Sequence, residues 1–116
     1  VPPADVRTER LRLIPCDAAL LAAVMRDEPL PGLRRHFEWP GDDLRGAIPI
    51  MLARLTERAE TAGWGPWLIV LDGEVIGDAG THGPPDETGE AEIGFAVVPA
   101  LRRRGIASEA VEALLG

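Results

Sequence analysis

The chain has 116 residues, 46% of them apolar, and a formal charge of -7. That length suits a single domain over residues 1–116 with one core, and the acidic balance argues against a nucleic-acid binder with a generally basic surface. No apolar run approaches the ~20 residues that span a bilayer, and the lone cysteine, Cys16, can build neither an intrachain disulfide nor a zinc cluster and reads as a small buried hydrophobe.

The opening VPPADVRTER lacks the charged-then-apolar order of a secretion signal, so a cytoplasmic location is expected, with no membrane and no nucleic acid as partner. Residues 8–15 (TERLRLIP) alternate apolar and charged side chains up to a proline, which predicts a half-exposed strand. Asp17 offers an N-cap for a helix over 18–26, with Leu20, Leu21, Val24 and Met25 on one face. Residues 28–41 hold three prolines and the run His36-Phe37-Glu38-Trp39-Pro40, and they read as an ordered loop or short helical turns. From 42 to 62, Leu44, Ile48, Met51, Leu52, Leu55 and Ala59 recur at three and four residues, the pattern of an amphipathic helix, with Pro49 in its first turn or at a kink.

Residues 67–71 and 74–80 read as a hairpin across the turn signal Asp72-Gly73. A third strand follows over about 91–98, and a helix over 107–115. The order is strand, helix, helix, strand, strand, strand, helix, without repeats or low-complexity segments. No Lys, Asn, Gln or Tyr occurs, a bias that reads as a genome rich in G and C. It removes lysine as a Schiff-base former and tyrosine as a general acid.

The chemistry gathers where the third strand runs into the last helix, in VVPALRRRGIASEA (97–110). A strand-to-helix turn aims unpaired amides and the positive end of the helix dipole at one spot, which suits a phosphate. Gly105 allows close approach, Ala107 is small, and Ser108 adds a hydroxyl. Arg102, Arg103 and Arg104 add charge, although on charge alone they read as a solvated basic turn. Neither GxxxxGK[ST] nor GxGxxG occurs.

With Val97 and Pro99 ahead of Arg102, Gly105 and Ala107, the junction resembles the acetyl-CoA signature of the GNAT N-acetyltransferases, a strand, a Val-x-Pro corner and Arg/Gln-x-x-Gly-x-Gly/Ala opening a helix. Arg7-Thr8-Glu9-Arg10-Leu11-Arg12-Leu13 and Gly73-Glu74-Val75-Ile76-Gly77 resemble the opening strand and central hairpin of the branch that includes the ribosomal-protein N-terminal acetyltransferases. The resemblance implies an α+β GNAT fold, a mostly antiparallel mixed sheet flanked by helices. It implies acetyl transfer from acetyl-CoA directly to a primary amine of a protein N-terminus or small molecule. The alternative is a non-catalytic acyl-CoA-binding or assembly module.

Under that resemblance, Phe95, Ala96 and Val97 pair with the pantetheine arm. The amides of Arg103, Arg104, Gly105, Ile106, Ala107 and Ser108 hold the pyrophosphate, and Arg102 closes the turn and faces the phosphates. Glu92, then Glu90, is the carboxylate expected to deprotonate the amine. Glu38, Trp39 and His82 are the candidates on the acceptor side, with Phe37 and Trp39 as an apolar wall, although Trp39, Trp64 and Trp67 read more readily as core. His36 and His82 lack metal-ligand spacing, so no metal is expected.

The family's fold normally continues past this helix with further strands, which supply the general acid. The sequence is therefore expected to be a truncated copy of a full enzyme, from a fragment or an incomplete record, or else a natural half-domain. The third strand is expected to carry an open edge, to be completed by a homodimer or another chain segment.

Overall fold

Turn chemistry decides where the strands begin. The computed structural model describes residues 4–58, 64–81, 87–89 and 93–115. Strand β1, Val6–Arg7, pairs antiparallel with β2, Leu11–Pro15. The expected strand over 8–15 thus starts later, because Thr8 turns the chain: its amide donates to the Leu11 carbonyl (2.9 Å) and its Oγ1 accepts from the Leu11 amide (3.0 Å). A hydroxyl that satisfies backbone locally competes with the sheet ladder, and alternation alone does not reveal this.

Asp17 caps α1, Ala18–Met25, by accepting from the Leu20 amide at 2.8 Å. The loop expected over 28–41 contains a two-residue strand, β3, Arg34–Arg35. Helix α2, Asp42–Glu57, includes Pro49 on its exposed side and buries Leu44, Ile48 and Leu55; residues 59–62 of the expected helix lie outside the described residues. Strands β4, Pro66–Leu71, and β5, Glu74–Thr81, form the expected hairpin, with Asp72 and Gly73 both at positive φ (50° and 78°) as a tight right-twisting turn requires. Strand β6, Ile93–Val97, falls within the third expected strand, and α3, Ile106–Leu115, opens one residue earlier than the composition suggested.

The sheet runs β1-β2-β4-β5, antiparallel throughout. Since β4 occupies one edge of β5, the other edge is shared. Beside its start β3 pairs parallel with Glu74 and Val75, and beside its later half β6 pairs antiparallel with residues 77–81. This one parallel pair makes the sheet mixed. Among the described residues, β6 pairs only with β5. Helices α1 and α2 pack on each other, and α3 packs on β2, β5 and β6. The core joins Leu13, Ile69, Val75 and Ile76 of the sheet to Leu21 and Val24 of α1, Ile48 of α2 and Ala110 of α3.

Gly77 lets two backbones come together. A Cβ on Gly77 would lie 2.3 Å from the Ala96 carbonyl oxygen and 3.1 Å from Val97 Cα, both main chain of β6. Gly46, inside α2, has nothing within 4 Å of the same added atom. The same substitution should therefore act in opposite directions. Gly77→Ala should destabilise by about 1–3 kcal/mol through overpacking, whereas Gly46→Ala should stabilise by about 0.5–1 kcal/mol by removing a helical glycine. Urea midpoints at constant slope will read both signs.

Candidate functional site

The site grows out of the way β6 ends. Val98 donates to the Ile76 carbonyl (2.9 Å), so Ala96 and Val98 are the residues that face β5 with their main-chain groups. Ladder alternation then turns the main-chain groups of Phe95 and Val97 to the open edge and commits those of Ala96 to the sheet. Pro99–Leu101 makes a single 3-10 turn, closed by Leu101 N to Val98 O at 3.0 Å. Arg102 folds back over this corner, its Nε donating to the Val97 carbonyl at 3.0 Å.

Arg103 and Gly105 both adopt left-handed backbone, with φ of 65° and 73°. For Gly105 the demand is conformational and not steric, since an added Cβ would meet only Arg10 Nη2 at 3.6 Å. The first bond within α3 runs from Glu109 N to Gly105 O at 3.0 Å. The amides of Ile106, Ala107 and Ser108 thus precede any carbonyl they could reach inside the helix.

The turn is pinned from the hairpin β1-β2. Glu109, in the first turn of α3, accepts from Thr8 Oγ1, from the Arg10 amide (3.1 Å) and from Arg10 Nε (2.7 Å). Arg10 Nη1 in turn donates to the Arg104 carbonyl at 2.9 Å. These donors, Thr8 foremost, hold the Glu109 carboxyl below the ordinary value of 4.5. Glu109 is not singled out by the sequence within the run 97–110. Its signal was the helix position alone, since an acid in a first turn complements the helix dipole.

A cavity of about 480 Å³ opens in front of these amides. Its walls come from Phe95, Ala96 and Val97 of the strand, from Arg102, Arg103 and Gly105 of the turn, and from Ile106, Ala107 and Ser108 of the helix, with Leu101 and Asp43 completing it. Nine of the ten residues expected to grip a cofactor therefore meet at one place. Arg104 does not line it and is engaged by Arg10 through its carbonyl.

The expected acceptor side is less well gathered. Glu90, Glu92 and His82 lie outside the described residues. Phe37 is 90% exposed and stacks on His36, so it forms no wall. Trp39 is buried core, 5% exposed. Glu38 brings Oε1 3.4 Å from the Ala100 amide and lines a recess of only about 60 Å³ together with Trp39 and Arg102.

The carboxylate that sequence reasoning passed over is Asp78, in the middle of β5. Trp39 Nε1 donates to its Oδ2 at 3.1 Å. Burial pushes its carboxyl up to about 6, against the Trp39 hydrogen bond and with a further push from Asp43. Period-two alternation places Asp78 on the same face as the fully buried Ile76, and that was the available signal. Burial, with Asp78 and Asp17 nearby, drives the Cys16 thiol far upward, which leaves it an inert core side chain. Among the described residues, no group of three or more His, Cys, Asp or Glu side chains could hold a metal ion, and no helix is long and apolar enough to cross a membrane.

A family model described as an acetyltransferase (GNAT) domain matches residues 10–116. A Bacillus subtilis (strain 168) protein named uncharacterized N-acetyltransferase YjdG is 36% identical, over 95% of this chain and 69% of its own length. The crystal structure of an acetyltransferase from Agrobacterium tumefaciens str. C58 is 31% identical with a TM-score of 0.58, covering 99% of this chain and 66% of that one. RimL, a ribosomal L7/L12 alpha-N-protein acetyltransferase solved in complex with coenzyme A, shares the fold at 16% identity, with a TM-score of 0.61 over 97% of this chain and 66% of its own.

The Glu109 cluster carries a pH signature. A carboxyl held below its unfolded value contributes stability that is present above about pH 4.5 and is lost as pH falls through the lower folded value. Glu109→Gln should therefore be less stable than the parent at pH 7, and the gap between the two urea midpoints should close as pH is lowered below 4.5.

Proposed function

Because the chain belongs to the GNAT acetyltransferase family, we propose that it transfers an acetyl group from acetyl-CoA directly to a primary amine. The observation that carries this reading is the 480 Å³ cavity, in which an open strand edge and the free amides of a helix start meet at a pair of arginines.

Those residues suit the donor. The outward main-chain groups of Phe95 and Val97 offer the pantetheine arm a strand to pair with, although the Val97 carbonyl already accepts from Arg102. The amides of Ile106, Ala107 and Ser108 suit the pyrophosphate, with Arg102 and Arg103 supplying charge at its rim. Holding by main chain explains why the motif specifies small residues and a left-handed glycine more than particular side chains.

In the transfer, the amine nitrogen bonds to the thioester carbonyl carbon and the carbon–sulfur bond breaks. The amine must lose a proton before it attacks, and a carboxylate suits that task. The acceptor reads as a protein N-terminus or a small-molecule amine. The RimL fold match agrees with the first without selecting it.

The test is to incubate the protein with acetyl-CoA and a panel of primary amines and to follow both free thiol and acetylated product. Both should appear together. Tight acetyl-CoA binding without thiol release would indicate a binding module instead, and no binding by folded protein would remove the cavity assignment. If amides do most of the holding, Gly105→Val should weaken acetyl-CoA about tenfold or more, as a lost left-handed turn costing ~1–2 kcal/mol implies. Arg103→Ala, which removes one exposed charge, should cost less, and the reverse order would count against the main-chain grip.

A further inference from the structure

We propose that a second cavity, bounded by α2, β5 and β6, is the acceptor site and selects a compact, apolar primary amine, with Asp78 holding the ammonium and accepting its proton. It encloses about 230 Å³, below the ~300–1,000 Å³ of most drug-sized pockets. Leu44, Ala47 and Met51 of α2 line it together with Asp78 and the β6 residues Gly94, Phe95 and Ala96. Asp43, Phe95 and Ala96 line this cavity and the donor cavity alike, so the two are neighbours across one rim.

The charge is sorted between them. Arg102 and Arg103 line the donor cavity, whereas the charged side chains lining the second, among the described residues, are the carboxylates Asp43 and Asp78. An ammonium gains there, and an acceptor carrying a carboxylate of its own meets repulsion.

Asp78 is built to receive a cation. Its Oδ2 takes one neutral hydrogen bond, from Trp39, and among the described residues no cation pairs with it. Among the described residues, the titratable groups that face it are Asp43 from α2 and the Cys16 thiol after β2. A carboxyl near 6 is ionised at neutral pH yet more basic than an ordinary carboxylate, which suits a proton acceptor. The proton balance is complete: one ammonium proton passes to Asp78 and on to solvent, the nitrogen bonds to carbon, and the second proton leaves with the thiolate as free thiol.

This assignment rests on the donor reading above, so acetyl-CoA affinity is measured separately in each protein. The probes are n-butylamine and 4-aminobutyrate, which share a four-carbon chain and differ in a terminal carboxylate. The parent should acetylate n-butylamine with kcat/KM about tenfold or more above that for 4-aminobutyrate, on an acid limb near pH 6. Asp78→Asn should lose about 100-fold in kcat/KM together with that limb, while binding acetyl-CoA within about twofold of the parent, which also shows that the variant folds. Trp39→Phe keeps the carboxylate but removes the bond that lowers its value, so the limb should move upward. The proposal falls if Asp78→Asn keeps its rate and limb, if 4-aminobutyrate is the better acceptor, or if protein that binds acetyl-CoA acetylates neither probe. A parent that binds no acetyl-CoA would overturn the donor reading first and this assignment with it.

Discussion

Everything at the candidate site depends on one carboxylate taking donors from a different part of the chain. Glu109 joins α3 to Thr8 and Arg10, about a hundred residues earlier in sequence. An ordinary helix start would use a Ser or Asp N-cap, whose side chain consumes the very amides a ligand needs. Gly105 occupies that position and has no side-chain acceptor. The helix end is fixed from outside instead, by Glu109 in its first turn, where negative charge also suits the dipole. Local geometry is secured while, among the described residues, the three leading amides stay uncommitted.

The second constraint is the divided edge of β5. A single strand pairs with β3 at its start and β6 further on, so β6 can leave the sheet at Val97 and turn the corner that the Arg102 side chain closes. Gly77 lets the β6 backbone close over β5, and Gly80 likewise admits the main chain of Gly65, whose oxygen would lie 2.0 Å from an added Cβ. Asp78 sits between those two approaches. Burial raises its carboxyl, and Asp43 adds to the rise.

What could be read from the sequence was what nearest neighbours in the chain decide. The hairpin turn at Asp72-Gly73, the Asp17 cap and the order of strand, proline corner, glycine and small residues each depend on a few adjacent positions, and the family match over residues 10–116 agrees with them. Strand β3 was missed because two residues carry no period, and only the edge of β5 makes Arg34 and Arg35 a strand. Asp78 was missed because a carboxylate was sought at the strand end near the motif, although its alternation with Ile76 already placed it on a buried face. The aromatic loop misled in the opposite direction. Phe37 turns to solvent, and Trp39 goes inward, where its indole N–H donates to Asp78 and its ring lines only the small recess beside Glu38.

The acidic character of the chain and its basic turn are compatible because electrostatics at physiological salt are local. With a screening length of ~8 Å, an approaching anion feels little of the distant -7 and responds to the arginines at the cavity mouth. Those arginines are exposed, so each contributes modestly to holding and more to the approach. Asp43 stands where the two cavities meet and sets the sign change between them. On the assignment proposed above, a phosphate is drawn to Arg102 and Arg103 and an ammonium to Asp78, with Asp43 lining both cavities. That assignment lets two ligands of opposite charge approach neighbouring cavities without competing for either one.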